Sequence, residues 1–345
     1  MSKIIFWLGI LLCPFLVSCS ETKTGNVKEI IESYYNKGNF NGAVLVAKEN
    51  CIVYDTLLGY SDFDRKINLR KPASFYIASL SKPFTAIGIM LLQQEGLLLY
   101  DDKANEYVAG LPVYAQNITI RQLLTHTSGI KDYENILSGR RGLTNKDVVE
   151  WLHEQDSLRF EPGSRFEYSN SGYIILSLII ESISKQSYSC FLQSNVFTPL
   201  NMHHTKVYDD TNPFIENRVT GFDKNKMPDD YSILTTGDGG IYSTVEDLYK
   251  LDRALKDNLL LSSENTALMY QLPLLSGGQE SEYGFGWFVE SSDDDKIAKH
   301  TGGLNGFRSL FWRDLKNDIT IIALTNQGDA FPVNNFLNDL KRTLK

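Results

Sequence analysis

The period of apolar and polar positions changes along the chain, and the changes mark out its elements. After polar residues at 20–26, the segment 27–36 carries apolar side chains at helical spacing and stops at Lys37-Gly38. Residues 42–48 and 52–58 are rich in β-branched side chains and are separated only by a tight turn at Glu49-Asn50, which predicts two paired strands. A charged loop covers 61–72. Residues 75–78 then lead to Ser79 and an apolar helix over 84–94 that closes at Glu95-Gly96. The middle of the chain is helical in pattern. Thr119 precedes a helix at 120–124, Asn145 caps 146–154, 171–184 is apolar nearly all round and predicted buried, and 188–197 follows. The stretch 198–236 is long, rich in Asp, Asn and Pro, and has the length of a rim or lid. Strand character returns at 240–243, 283–290, 296–300, 307–313 and 319–325. Helices are predicted from Thr244 through Lys256, at 262–271 and at 331–344. Strands at both ends with helices between them predict an α/β (α+β) body, 27–98 together with 236–345, interrupted by a mostly helical insertion over 99–235.

The first 18 residues read differently. Lys3 supplies a short positive start to an apolar run over 4–17, which has signal-peptide length and is short for a membrane span. The run ends in Leu16-Val17-Ser18-Cys19, which resembles a bacterial lipobox. That resemblance implies cleavage before Cys19, a lipid on its thiol, a tether over 19–26, and a body held at the membrane in the cell envelope, outside the cytoplasm. Cys51 and Cys190, the cysteines that remain, are read as buried thiols outside any disulfide. The chain has 345 residues, with 42% hydrophobic and 22% charged, which is ordinary globular composition. A net charge of −8 with no basic block argues against nucleic acid as a partner.

Candidate chemistry begins at Ser79-Leu80-Ser81-Lys82-Pro83. Proline is tolerated in a first helical turn, so the following helix should begin near Ser79 and place Lys82 one turn from it. This sets a nucleophile beside a proton acceptor at a helix N-terminus. Ser-x-x-Lys alone is weak, since it also occurs at Ser20, Ser128 and Ser182. Two further segments stand out. One is Tyr168-Ser169-Asn170 at the entrance of the buried helix, and the other is His300-Thr301-Gly302-Gly303 at the end of a strand. Tyr-x-Asn recurs at Tyr34 and Tyr133, and Lys23-Thr24-Gly25 precedes every other motif, so order along the chain decides which copies count.

In that order the segments resemble the serine β-lactamase and penicillin-binding protein superfamily, in its class C β-lactamase-like branch, which also holds D,D-carboxypeptidases, D-amino-acid peptidases and esterases. Leu123–Gly129, Glu161-Pro162-Gly163, Gly239–Thr244 and Tyr283–Trp287 resemble the branch too. The resemblance implies an antiparallel sheet flanked by helices, a site between sheet and helical insertion, and a serine hydrolase without cofactor or metal. Its substrate would be a small-molecule or peptide acyl donor. Ser79 would form an acyl-enzyme, Asn170 would hold Lys82 and the substrate amide, Thr301 and Gly302 would line the substrate strand, and the N–H groups of Ser79 and Gly303 would bind the oxyanion. Free Lys and Tyr titrate near 10, so neither is a base unaided at neutral pH. The expectation is that Lys82 and Tyr168 perturb each other, share activation of Ser79, and that Tyr168 positions the deacylating water. His300 replaces a permanent cation and predicts a weaker or pH-dependent carboxylate anchor. This favours D-aminoacyl peptides or small esters over β-lactams as substrates. A dedicated β-lactamase and a non-catalytic receptor for penicillins or wall fragments are the alternatives. His203-His204 has no evident third metal ligand, and no Gly-x-Ser-x-Gly elbow occurs.

Overall fold

The computed structural model describes residues 21–137, 140–230, 233–292 and 295–344. The expected signal segment, and Cys19 as the expected lipid site, lie outside the described residues. In chain order the elements begin with α1 (Glu21–Asn36), β1 (Gly42–Lys48), β2 (Cys51–Leu58), β3 (Tyr60–Asp62), β4 (Ile67–Asn68), β5 (Phe75–Tyr76) and α2 (Lys82–Gln94). The middle holds α3 (Ile120–Leu124), α4 (Glu134–Leu137), α5 (Asn145–His153), α6 (Asn170–Ser184), α7 (Tyr188–Leu192) and β6 (Lys206–Val207). The last third holds β7 (Ile241–Ser243), α8 (Val245–Lys256), α9 (Ser263–Leu268), β8 (Phe288–Ser291), β9 (Lys296–Leu304), β10 (Phe307–Asp314), β11 (Ile319–Thr325) and α10 (Val333–Leu344).

Six strands form one antiparallel sheet in the order β2-β1-β11-β10-β9-β8, so both ends of the chain build it. β1 and β11 read as continuous apolar runs because both faces of the sheet are covered. Val44, Val46, Ile321 and Ala323 pack beneath α1 and α10, against Val27, Ile31, Phe336 and Leu340. The alternate residues Ala43, Leu45, Ile322 and Leu324 face the larger core, which contains α2, α6 and α8. The β1–β2 turn has positive φ at both Glu49 and Asn50, the geometry that matches strand twist in a two-residue hairpin.

Where element boundaries differ from the sequence pattern, local chemistry supplies the reason. α1 reaches back to Glu21, whereas the apolar periodicity begins at Val27, which packs against the sheet. Thr144, not Asn145, caps α5 through a capping box with Asp147. Asn145 instead donates to Ser177 Oγ (3.0 Å) and Thr236 Oγ1 (2.9 Å), tying α5 to α6 and to the loop before β7. Of 283–290 only the end enters the sheet, as β8. Tyr283, Phe285 and Trp287 are buried at alternate positions, but Gly284 and Gly286 turn the chain between them. The thiols of Cys51 and Cys190 form no disulfide, yet neither is buried. Cys51 lies on the edge strand β2, which is only partly covered, and Cys190 is exposed on α7. Part of the irregular 198–236 stretch packs on the α/β part. β6 pairs with β7, Ser74 bridges Arg218, and the Phe222 N–H donates to the Asn326 carbonyl at 2.8 Å.

Candidate active site

Ser79 sits in a single 3₁₀ turn, Ala78–Ser81, that runs straight into α2 with Pro83 in its first turn. The turn is fixed from two sides. The Ile77 N–H donates to the Ile241 carbonyl (3.0 Å), and Ser309 Oγ donates to the Ile77 carbonyl (2.7 Å). Ala78 is held at φ 50°, a left-handed conformation unusual for alanine and typical of strained functional turns. β9 presses against this turn at Gly302. A Cβ there would lie 2.2 Å from the Ile77 carbonyl oxygen and 3.0 Å from the Ser79 nitrogen, so only glycine permits the approach.

The Lys82 amine is completely buried and donates to Ser79 Oγ (3.2 Å), Asn170 Oδ1 (2.7 Å) and the Asp238 carbonyl (2.9 Å). Burial pulls its pKa down from 10.5 to about 8, while the carboxylates of Asp238, Glu134 and Asp132 act in the opposite sense. Asn170 is aimed by two of these acids. Its Nδ2 donates to Glu134 Oε2 (2.7 Å) and Asp132 Oδ2 (3.3 Å). The Asp238 loop is aimed in turn by Thr85, whose hydroxyl donates to the Gly237 carbonyl (2.6 Å), and by Tyr133, whose hydroxyl donates to Asp238 Oδ2 (2.6 Å).

Tyr168 lies over the amine, its ring centroid 4.8 Å from Lys82 Nζ, between the rings of His126 (4.2 Å) and Phe288 (6.2 Å, nearly parallel). Burial drives its pKa well above 10, although the hydrogen-bonding contact with the Ser79 hydroxyl pulls the other way. The expectation that Lys82 and Tyr168 perturb each other and share activation of Ser79 is therefore corrected for the phenol as a base. Of the pair only the lysine is shifted toward its basic form, and Tyr168 remains a protonated, neutral phenol. His300 needs a correction as well. It is 1% exposed, and its Nδ1–H donates to the carbonyl of the next residue, Thr301 (2.7 Å). Nε2 is thereby left to accept from the Tyr283 hydroxyl (2.9 Å). Burial, with Lys82 nearby, takes its pKa down to about 3. His300 is consequently neutral near pH 7, which agrees with the weaker anchor among the expectations and not with a pH-dependent one.

Ser79, Tyr168, His300, Thr301, Gly302 and Gly303 line one cleft of about 530 Å³, with Lys82 and Asn170 beneath it. The three expected motifs are thus brought together. Sequence spacing missed Asp132, Glu134, Asp238, His126, Phe288 and Arg308, the last two of which also line the cleft. Asp238 had a usable signal, an acid inside the glycine run Gly237-Asp238-Gly239-Gly240. His126 lay in a motif-like segment whose histidine had no assigned role.

Comparison with known proteins agrees with this architecture. Residues 27–342 match the family model described as Beta-lactamase. Penicillin-binding protein 4* of Bacillus subtilis is 33% identical over 331 residues, covering 90% of this chain and 73% of that protein. Protein flp of Staphylococcus aureus is 28% identical over 325 residues, covering 88% of this chain, and the chain spans only 63% of flp. Among solved structures, a penicillin-binding protein from Bacillus halodurans aligns with TM-score 0.78 and 25% identity, covering 92% of this chain and 98% of that one. The D-amino acid amidase of Ochrobactrum anthropi SV3 shares the fold, with TM-score 0.79 and 23% identity over 94% of this chain and 99% of that one. The chain belongs to the beta-lactamase family and is a serine hydrolase of the β-lactamase fold.

Proposed function

We propose that the chain is a hydrolase of the class C β-lactamase-like branch that acts through a Ser79 acyl-enzyme on D-aminoacyl peptides, with small esters as secondary substrates. The observation that carries this reading is the Ser79–Lys82 pair. A serine hydroxyl lies 3.2 Å from a fully buried amine whose pKa is about 8, at the floor of an open cleft. Neutral Lys82 takes the Ser79 proton as Oγ attacks the carbonyl carbon. The oxyanion forms against the N–H groups of Ser79 and Gly303, and a donor in such a position is worth roughly 2.7–4 kcal/mol of barrier. Collapse of the tetrahedral species breaks the bond to the leaving group, which takes a proton from the Lys82 ammonium through the Tyr168 hydroxyl. A water then attacks the acyl-enzyme, gives its proton up through the same phenol, and Ser79 is regenerated. Asn170 keeps the amine and the acyl amide in register.

The preference for D-aminoacyl substrates is supported by the likeness to a penicillin-binding protein and to a D-amino acid amidase. We also assign the protein to the cell envelope, anchored by a lipid on Cys19, from the Leu16-Val17-Ser18-Cys19 segment. The test is hydrolysis of N-acyl-D-Ala-D-Ala, its L-Ala-L-Ala isomer, p-nitrophenyl acetate and benzylpenicillin by wild type and Ser79→Ala. The account expects Ser79-dependent release of D-alanine, no cleavage of the L isomer, ester turnover, and slow release of any penicilloyl group. Rapid penicillin hydrolysis with an intact dipeptide would replace it by a β-lactamase, and no Ser79-dependent turnover at all by a binding module.

A further inference from the structure

The segment that delivers Tyr168 to the cleft is gripped on both sides by a single residue. The His126 carbonyl accepts from the Glu167 N–H (2.9 Å), and His126 Nδ1 accepts from the Ser169 N–H (3.1 Å). Between these two bonds the His126 ring lies on the Tyr168 ring, with centroids 4.2 Å apart and planes 34° from parallel. The ring of Tyr283 packs on His126 as well, at 4.5 Å. The helix that follows does not fix its own entrance. Ser169, at the N-cap position of α6, makes no capping bond with its hydroxyl. A histidine at this point carries two costs. At φ 55° it follows α3 in the left-handed conformation that glycine adopts most readily after a helix. Because Nδ1 accepts, the proton of the neutral ring sits on Nε2, which is buried and has no hydrogen-bond partner among the described residues. A phenylalanine would fill the same space without that orphaned N–H, and would lose only the acceptor that faces Ser169. Burial, with Lys82 nearby, holds the ring pKa well below 6.5, so Nδ1 stays free to accept.

We propose that His126 is the positioning residue of Tyr168, and that through this clamp on residues 167–169 it sets the rate at which the acyl group leaves Ser79. The proposal rests on the reading in which the Tyr168 hydroxyl passes on the proton of the deacylating water. His126 is not among the residues that line the cleft, so its effect reaches the reaction through the phenol. Without the Nδ1 acceptor the Ser169 N–H is left buried and unpaired, and the segment that carries the phenol shifts to satisfy it. Ser79 and Lys82 are held by other bonds, to Ile241, Ser309, Asn170 and Asp238, so attack on the substrate continues while release slows.

The test follows the decay of the acetyl-enzyme. Chains are acetylated with p-nitrophenyl acetate, freed of excess reagent, and the loss of the acetyl mass is timed. Decay is first order in acetylated chains, so molecules that fail to fold do not enter the rate. His126→Phe keeps a ring and loses the acceptor, and should slow decay by about tenfold or more, the size of one buried hydrogen bond left unpaired. In a Tyr168→Phe background the same change should alter decay by less than about twofold, since a residue that acts through the phenol has nothing left to act on. His126→Asn keeps an acceptor in the Nδ1 position, tolerates the left-handed backbone and loses only the ring contact. It should slow decay by about threefold, the size of one ring pair, and again only where Tyr168 is present. Equal slowing in both backgrounds marks a merely structural role and overturns the proposal. So does wild-type decay in His126→Phe, His126→Asn decaying as slowly as His126→Phe, or the lack of any acetylated chain in both variants, because acylation is left to Ser79 and Lys82. In each of these cases the Tyr168 reading stands. Wild-type decay in Tyr168→Phe alone overturns both.

Discussion

At the scale of single residues, the site turns on a lysine amine that must reach its neutral form near physiological pH. Burial lowers the Lys82 pKa to about 8, and Asp238, Glu134 and Asp132 limit the drop. The neutral fraction therefore grows as pH rises through that value. On a neutral ester, kcat/KM should climb with a one-proton slope and a midpoint near 8. Glu134→Gln removes a charge that favours the ammonium, so its midpoint should move to lower pH. His300, neutral down to about 3, should contribute no inflection near 6.5. A flat profile between pH 6 and 9, or a midpoint unmoved in Glu134→Gln, would contradict the assignment. The lysine was legible in the sequence, since its spacing from Ser79 survives translation into a helical turn. Its acidic neighbours were not. Asp132 and Glu134 act through Asn170, across 38 and 36 residues of chain, and no spacing rule reaches that far.

At the scale of elements, chemistry depends on how closely β9 meets the Ser79 turn. Gly302 sets that distance, because a methyl group there would overlap the Ile77 carbonyl at 2.2 Å. Gly302→Ala should separate strand from turn, lose on the order of 10² in kcat/KM through misplacement of the reacting groups, and destabilise the fold by about 1–3 kcal/mol through overpacking. Activity and thermal unfolding, measured on the same preparation, check this, and near-wild-type activity would show that the contact is not needed. Strands covered on both faces, such as β1 and β11, were readable as unbroken apolar runs. Residues 283–290 misled for a physical reason. Burial at alternate positions mimics a strand, but here Tyr283 and Trp287 pack from a turn that brings the Tyr283 hydroxyl to His300.

At the scale of the whole molecule, the sheet is closed by both ends of the chain, and this brings residues 79, 168 and 300 to one cleft. The order of three motifs foretold that meeting. What it could not foretell is the side-chain environment that decides protonation, since burial is a property of the completed core. His300 could be read as a possible switch from its residue type alone, whereas the packed structure removes that option. Arg308 was invisible for a related reason. It is one charge in a strand, and only the β9–β10 register sets it opposite a glycine. The account's central claim is that Ser79 carries the acyl group and that Tyr168 is needed to release it. Intact-mass measurement after acid quench of a reaction with p-nitrophenyl acetate tests this directly. One acetyl group per chain should appear on the peptide that contains Ser79, be absent from Ser79→Ala, and accumulate in Tyr168→Phe as turnover falls by about 10² or more. An adduct that persists in Ser79→Ala, or a Tyr168→Phe variant that turns over at the wild-type rate without accumulating it, would contradict the account.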